Sequence, residues 1–230
     1  MKNQRYTTIL WDVDDTLLDF ELSEKCALQK SFQTFNLEIN DEIIKRYSMI
    51  NTQYWKKLEL GQVCKEEVLI GRFLTLFDEL KQKPDSITEF QRDYQYNLAH
   101  VYFYKDDSKE LCLKLKNNCK QYLVTNGVSY TQRTKLQLAG FDLIMDDIFV
   151  SEEIGIPKPA IAFFEKCFEK IPEFDREKTI IVGDSLTSDM LGGNNAKVAT
   201  CWYNPKGIVN DTNVITDYQI NHLWQLLDII

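Results

Sequence analysis

Only two histidines, His100 and His222, occur in the 230 residues, and both lie far from every motif described below. A Ser-His or Cys-His hydrolase needs a histidine base, so this scarcity counts against those classes. The six cysteines (Cys26, Cys64, Cys112, Cys119, Cys167 and Cys201) are scattered without a Cys-x-x-Cys pair. Thiolate metal-ligand spacing is therefore absent, a disulfide framework is not expected, and the cysteines read as small apolar fillers. No stretch approaches the roughly 18 apolar residues of a membrane span. Positive charge is also in deficit: 27 Lys and Arg stand against 35 Asp and Glu, a formal net charge of −8. Neither a nucleic-acid polymer nor an anionic membrane suits such a surface. Internal repeats and low-complexity segments are lacking. The opening residues Met1 to Tyr6 carry no signal-peptide apolar region, so a cytoplasmic location is expected.

Hydrophobic residues make up 44% of the chain, enough for a sizeable core. An apolar, β-branched run, Tyr6-Thr7-Thr8-Ile9-Leu10, reads as a buried strand and leads into Trp11-Asp12-Val13-Asp14-Asp15-Thr16. Four further segments read the same way: Gln121–Val124, Asp147–Val150, Thr179–Val182 and Ala199–Tyr203. Helical patterns fill the gaps at Ser108–Asn117, Thr131–Leu138 (stopped by Gly140) and Pro159–Glu169. Strands alternating with helices predict parallel βαβ units and a doubly wound α/β sheet. Residues 18–100 differ: they are helical in period, rich in Glu, Lys, Gln, Leu and aromatics, and without a convincing strand. They are expected to form an all-α domain inserted after the first strand, with residues 1–17 and 101–230 as the α/β core.

Each core strand delivers polar residues at its carboxyl end, where ligands bind in open α/β sheets. Asp12 and Asp14 follow the first, Thr125 and Asn126 the second, and Asp184 and Asp189 the strand near Ile181; Lys158 sits in a loop between Pro157 and Pro159. Like carboxylates this close need a cation or a shared proton. Oxygen-only ligands favour Mg²⁺, a hydroxyl and amides can bind phosphate oxygens, and a lysine offsets negative charge. Each group alone has an ordinary explanation as a cap, a turn or a solvated loop residue. Their coincidence, in order and each at a strand end, points to metal-assisted phosphate chemistry.

The motifs Asp12-Val13-Asp14-Asp15-Thr16, Thr125-Asn126-Gly127, Lys158-Pro159 and Gly183-Asp184-Ser185-Leu186-Thr187-Ser188-Asp189 resemble the four motifs of the haloacid dehalogenase (HAD) superfamily. The helical insert is similar to that superfamily's small C1-type cap, so a HAD-type, Rossmann-like core is implied. Ser151-Glu152-Glu153-Ile154-Gly155, Asp189 to Ala196, Ala199 to Asn204, and Asn51 to Phe73 extend the resemblance toward the noncanonical pyrimidine 5′-nucleotidases, the YjjG-like branch. Two departures stand out. Lys105-Asp106-Asp107 replaces the Pro-Gly turn usual in relatives, and Lys197 follows Ala196 where a glycine is usual.

The resemblance implies a Mg²⁺-dependent phosphatase in which Asp12 attacks phosphorus to form an aspartyl-phosphate. Asp14 serves as general acid and then general base, and Asp12, Asp184 and the main-chain carbonyl of Asp14 hold the metal. Thr125, the Asn126 amide and Lys158 bind the transferring phosphoryl group, Asp189 positions Lys158 and metal-bound water, and Thr16 fixes the turn beyond Asp14. The cap is expected to close over the leaving group, with Phe20, Trp55 and Arg72 as contacts. Pyrimidine nucleoside 5′-monophosphates are the implied substrates, hydrolysed by a monomer or weak homodimer. Small sugar phosphates or phosphoglycolate (with phosphatase or mutase chemistry), a 2-haloacid dehalogenase, and a non-catalytic nucleotide-binding module are the alternatives. A dehalogenase typically lacks an acid at the position of Asp14.

Overall fold

The computed structural model describes residues 5–230. Residues 1–4, part of the segment searched for a signal peptide, lie outside the described residues. Among the described residues six strands form one parallel sheet: β1 (Thr8–Trp11), β2 (Lys120–Thr125), β3 (Asp147–Val150), β4 (Thr179–Gly183), β5 (Ala199–Tyr203) and β6 (Tyr218–Ile220). Among the described residues the α-helices are α1 (Phe20–Thr34), α2 (Asp41–Glu59), α3 (Lys65–Glu79), α4 (Ile87–Ala99), α5 (Ser108–Leu115), α6 (Ser129–Ala139), α7 (Ser151–Ile154), α8 (Ile161–Phe168) and α9 (Leu191–Ala196). Among the described residues no helix is long and apolar enough to cross a membrane.

The strand order is β3-β2-β1-β4-β5-β6, all parallel. The chain winds outward from β1 in one direction through β2 and β3, then returns to β4 on the other side of β1. The topological switch point therefore lies between β1 and β4, where open α/β sheets bind ligands. Hydrogen bonds carry the β1–β4 pairing to the sheet's carboxyl edge, with the Asp12 amide donating to Val182 O at 2.9 Å. All four residues of β1 and all five of β4 are buried, as expected of strands covered on both faces. β6 is a short edge strand with only Ile220 buried, and its three residues carry too little pattern to be read from sequence.

The chain divides into two compact units: one comprises the segment ending at Asp19 together with Tyr104–Ile230, and the other Phe20–Phe103. These boundaries fall two and three residues beyond the expected ones, for a physical reason. Leu18 bridges to Tyr104, the Lys105 amide donates to Leu17 O at 3.0 Å, and Lys105 Nζ pairs with Asp19 at 3.0 Å, so this stretch is tied to the α/β unit. The helical unit packs α1–α4 around an aromatic cluster that includes Phe32, Tyr47, Phe73, Phe77, Phe90 and Tyr94. Edge-to-face contacts such as Phe73–Phe90 (5.1 Å) and Phe77–Phe90 (5.0 Å) recur in it; each contributes about 1 kcal/mol beyond area burial.

Both departures from the family pattern adopt the backbone that glycine would have supplied. Asp106, Asp107 and Lys197 have φ of 47°, 53° and 55°. Asp106 has a compensating use for its side chain: Oδ2 accepts from Tyr203 Oη and from the Leu223 amide, both at 2.9 Å. Among the described residues no such bond accompanies Lys197, which ends α9 in the left-handed conformation.

Candidate active site

The first motif is a tight loop that leaves β1 at the switch point. Leu17 N and Leu18 N both donate to Val13 O, at 3.0 and 2.9 Å, and Asp15 N donates to Leu18 O at 2.7 Å. Asp15 takes a left-handed φ of 60° to allow this. Val13 and Leu17 are fully buried, anchoring the loop, while Asp12 is 8% exposed. Thr16 Oγ1 makes a long contact, 3.4 Å, to Asp184 Oδ1, linking the loop to the end of β4.

One carboxylate oxygen from each of Asp12, Asp184 and Asp189 lies within 4.8 Å of the others. Beside them sits Lys158, only 1% exposed. Its Nζ donates to Asp12 Oδ1, Asp189 Oδ1 and Val124 O, each at 2.7 Å. All three ammonium protons are thus engaged, which a buried lysine requires. The Lys158 loop is held by Asn126, whose Oδ1 accepts from Lys158 N and whose Nδ2 donates to Lys158 O, both at 2.9 Å. Lys158-Pro159 is a cis peptide. Thr125 Oγ1 accepts from Gly127 N at 3.1 Å, closing the turn after β2.

Asp189 accepts from Lys158 on Oδ1 and from Ser185 N on Oδ2 at 3.1 Å. It reaches this position by passing close over Gly183, where a Cβ would stand 2.2 Å from Oδ2. Asp184 is held from its main chain, Trp202 Nε1 donating to Asp184 O at 2.8 Å. A cavity of about 130 Å³ opens beside Asp184, lined also by Asp15, Lys105, Trp202, Asn204 and Lys206.

These groups do not balance electrically. Burial, then repulsion from Asp189 and Asp14, outweighs the attraction of Lys158 and raises the Asp12 carboxyl to about 7. Burial and the charges of Asp12 and Asp189 push Asp184 well above the ordinary carboxylate range. Although burial opposes it, the charges of Asp12 and Asp189 raise the Lys158 ammonium. Three clustered carboxylates face one lysine, and the deficit matches a divalent cation in both sign and size. The donors are oxygens only, which suits Mg²⁺.

Asp14 stands apart from this cluster. Its Oδ1 accepts from Lys135 Nζ and its Oδ2 from Gln132 Nε2, both at 2.5 Å. Lys135 and Gln132 are 1% and 2% exposed. Sequence reasoning missed both, and it missed Trp202 as a support for Asp184. A signal was present for the first two: the buried residues of α6 are Thr131, Gln132, Lys135, Leu136 and Ala139. A lysine on the inward stripe of a helix needs an anionic partner.

The cap residues fare differently. Phe20 begins α1 half-buried against the aromatic cluster, and Trp55 is half-buried on α2. Arg72, expected to contact the leaving group, is 1% exposed inside the helical unit, where Nη1 donates to Asn51 Oδ1 at 2.7 Å. Its Nε and Nη2 are buried with no hydrogen-bond partner among the described residues.

Comparison with known proteins agrees with this geometry. A family model described as haloacid dehalogenase-like hydrolase matches residues 6–197. The HAD-hydrolase by name YfnB of Bacillus subtilis (strain 168) is 37% identical over 227 residues, 99% of this chain and 96% of that protein. Its crystal structure, bound to magnesium and described as revealing interdomain movement, superposes with a TM-score of 0.92 at 38% identity, covering 98% of each chain. The pyrimidine 5′-nucleotidase PynA of Streptococcus pneumoniae (strain ATCC BAA-255 / R6) is 34% identical, covering 97% of this chain and 94% of its own. The pyrimidine 5′-nucleotidase YjjG of Escherichia coli (strain K12) is 28% identical, with coverage of 95% and 98%.

Proposed function

The chain belongs to the haloacid dehalogenase-like hydrolases, and on that footing we propose that it is a Mg²⁺-dependent phosphatase of pyrimidine nucleoside 5′-monophosphates, working through an aspartyl-phosphate on Asp12. The observation that carries the reading is the carboxylate excess at the switch point: Asp12, Asp184 and Asp189 against Lys158. A phosphate dianion cannot approach such a site unless a cation joins it. Bound Mg²⁺, held by Asp12, Asp184 and the main-chain carbonyl of Asp14, keeps Asp12 ionised and screens its repulsion from phosphate.

The protein's own groups supply the rest. An Asp12 oxygen forms a bond to phosphorus as the bond to the leaving oxygen breaks, and Asp14 gives that oxygen a proton. Water then attacks phosphorus, passing a proton back to Asp14, and the bond to Asp12 breaks. Thr125 and the Asn126 amide bind phosphoryl oxygens. Lys158, its protons taken by Asp12, Asp189 and Val124 O, fixes the Asp12 carboxylate and contributes its charge. Asp189 anchors Lys158, Thr16 ties the first loop to Asp184, and Trp55 and Phe20 are the cap contacts retained for the leaving nucleoside.

Two of the most similar relatives named by function, PynA and YjjG, are pyrimidine 5′-nucleotidases, which supports the substrate choice. The deciding measurement is phosphate release from a panel of nucleoside monophosphates, hexose phosphates and phosphoglycolate, with Mg²⁺ and with EDTA. Pyrimidine monophosphates should show the highest kcat/KM, and EDTA should abolish turnover. A strong preference for a hexose phosphate or phosphoglycolate would overturn the substrate assignment. Nucleotide binding without phosphate release would make the protein a binding module.

A further inference from the structure

We infer that Gln132 and Lys135 are positioning residues that hold the Asp14 carboxyl in the orientation from which it exchanges protons with the reacting oxygens. The inference rests on the phosphatase reading above and extends it to two side chains outside the family motifs.

Asp14 is carried by a loop, and its side chain is 26% exposed. Burial alone does not fix such a group, because a short carboxylate can turn about two side-chain bonds. The two donors that reach it are of another kind. Gln132 and Lys135 are almost completely buried, and they lie three residues apart on one face of α6. Each engages a different oxygen at 2.5 Å, Lys135 on Oδ1 and Gln132 on Oδ2. One donor per oxygen defines the plane of the carboxyl group as well as its place.

Two features indicate that this contact has shaped its surroundings. The Gln132 amide occupies the space over Gly127, where a Cβ would stand 2.2 Å from Nε2. The glycine of the Thr125-Asn126-Gly127 turn therefore admits the side chain that reaches Asp14. Gln132 Oε1, moreover, is buried and has no hydrogen-bond partner among the described residues. A buried amide that leaves its acceptor unmatched is oriented by what its donor gains, and here the donor meets Asp14. The phosphate-binding turn and the Asp14 clamp thus belong to one β2–α6 unit, so the reacting phosphoryl group and the proton carrier are held on a common frame.

A merely structural role, in which Asp14 only neutralises a buried lysine, makes a different prediction. Nitrophenolate departs without a proton, whereas an alkoxide needs one, so misplacing Asp14 penalises alkyl esters selectively. The test measures kcat/KM, which reports the steps up to phosphoryl transfer, for p-nitrophenyl phosphate and for uridine 5′-monophosphate in the full-length protein with Mg²⁺. Lys135→Met and Gln132→Leu should each lose about 10²-fold on the nucleotide and less than about threefold on the nitrophenyl ester. Lys135→Arg should recover part of the loss. Equal losses on both esters, or none on either, would overturn the inference while the phosphatase reading stands. If Lys135→Met fails to fold, Gln132→Leu, which removes no charge, decides the matter alone. A wild-type protein inactive on both esters would refute the phosphatase reading first, and this inference with it.

Discussion

The α/β unit and the helical unit both bury charge, but they do so on opposite terms. In the helical unit Glu24, Asn51 and Arg72 are 3%, 2% and 1% exposed. Asn51 relays between them, donating to Glu24 at 2.6 Å and accepting from Arg72 at 2.7 Å. The Arg72 guanidinium also lies over Phe73 and Tyr94, 5.0 and 5.1 Å from the ring centres. One anion meets one cation, so the charges balance, while Arg72 Nε and Nη2 are buried with no hydrogen-bond partner among the described residues. In the α/β unit three clustered carboxylates meet one lysine. Burial alone therefore does not mark a site; unbalanced burial does, because only an incomplete set has a place for a ligand ion.

The comparison breaks most visibly at Asp12. Asp12→Asn should lower kcat by at least about 10³-fold, since it removes the covalent path; phosphate release measures this, and near-normal turnover would exclude Asp12 as nucleophile. In the metal-free protein the same change should act in the opposite sense on stability. The folded chain holds the Asp12 proton up to about 7, well above the usual value for an unfolded carboxylate. Between those two values the folded state binds more protons than the unfolded, so stability falls as pH rises through the window. Melting curves in EDTA should show the advantage of Asp12→Asn over the native protein growing from about pH 4 to about pH 7. Added Mg²⁺ should reverse the native protein's loss.

The balanced set is expected to respond differently. Arg72→Met leaves Glu24 buried without its counter-charge and should cost about 3 kcal/mol in urea unfolding. Adding Glu24→Gln should recover most of that loss, and the ranking of nucleotide substrates should not change. An altered ranking would restore Arg72 as a leaving-group contact. The smallest effect belongs to Lys197→Gly, which relieves the left-handed backbone at φ 55° and should stabilise the protein by about 1 kcal/mol. An unchanged unfolding midpoint would show that the Lys197 side chain compensates for the strain.

Much of this was readable before the fold was known, because the strand-end motifs are local. Asp12, Thr125, Lys158 and Asp184 sit within or beside short apolar runs and turns, and their spacing alone places them at one edge of a parallel sheet. The partners of those groups were harder to see. Lys135 and Gln132 lie 121 and 118 residues from Asp14 in the chain, and nothing near either residue names the carboxylate it meets. Arg72 was hard to read for the converse reason: an arginine beside aromatics reads equally well as a ligand contact or as a buried cation, and its burial is visible only in the fold.

Sequence alone determined the α/β class with its helical insert and the polar residues at the strand ends, because hydrophobic period and strand-end chemistry are properties of short segments; the four motifs carried the resemblance to the family. Tertiary structure decided which buried charges are balanced and which are not, that α6 brings Lys135 and Gln132 to Asp14, and that Arg72 is buried inside the helical unit. Those outcomes depend on distances between residues far apart in the chain, and such distances exist only once the chain has folded.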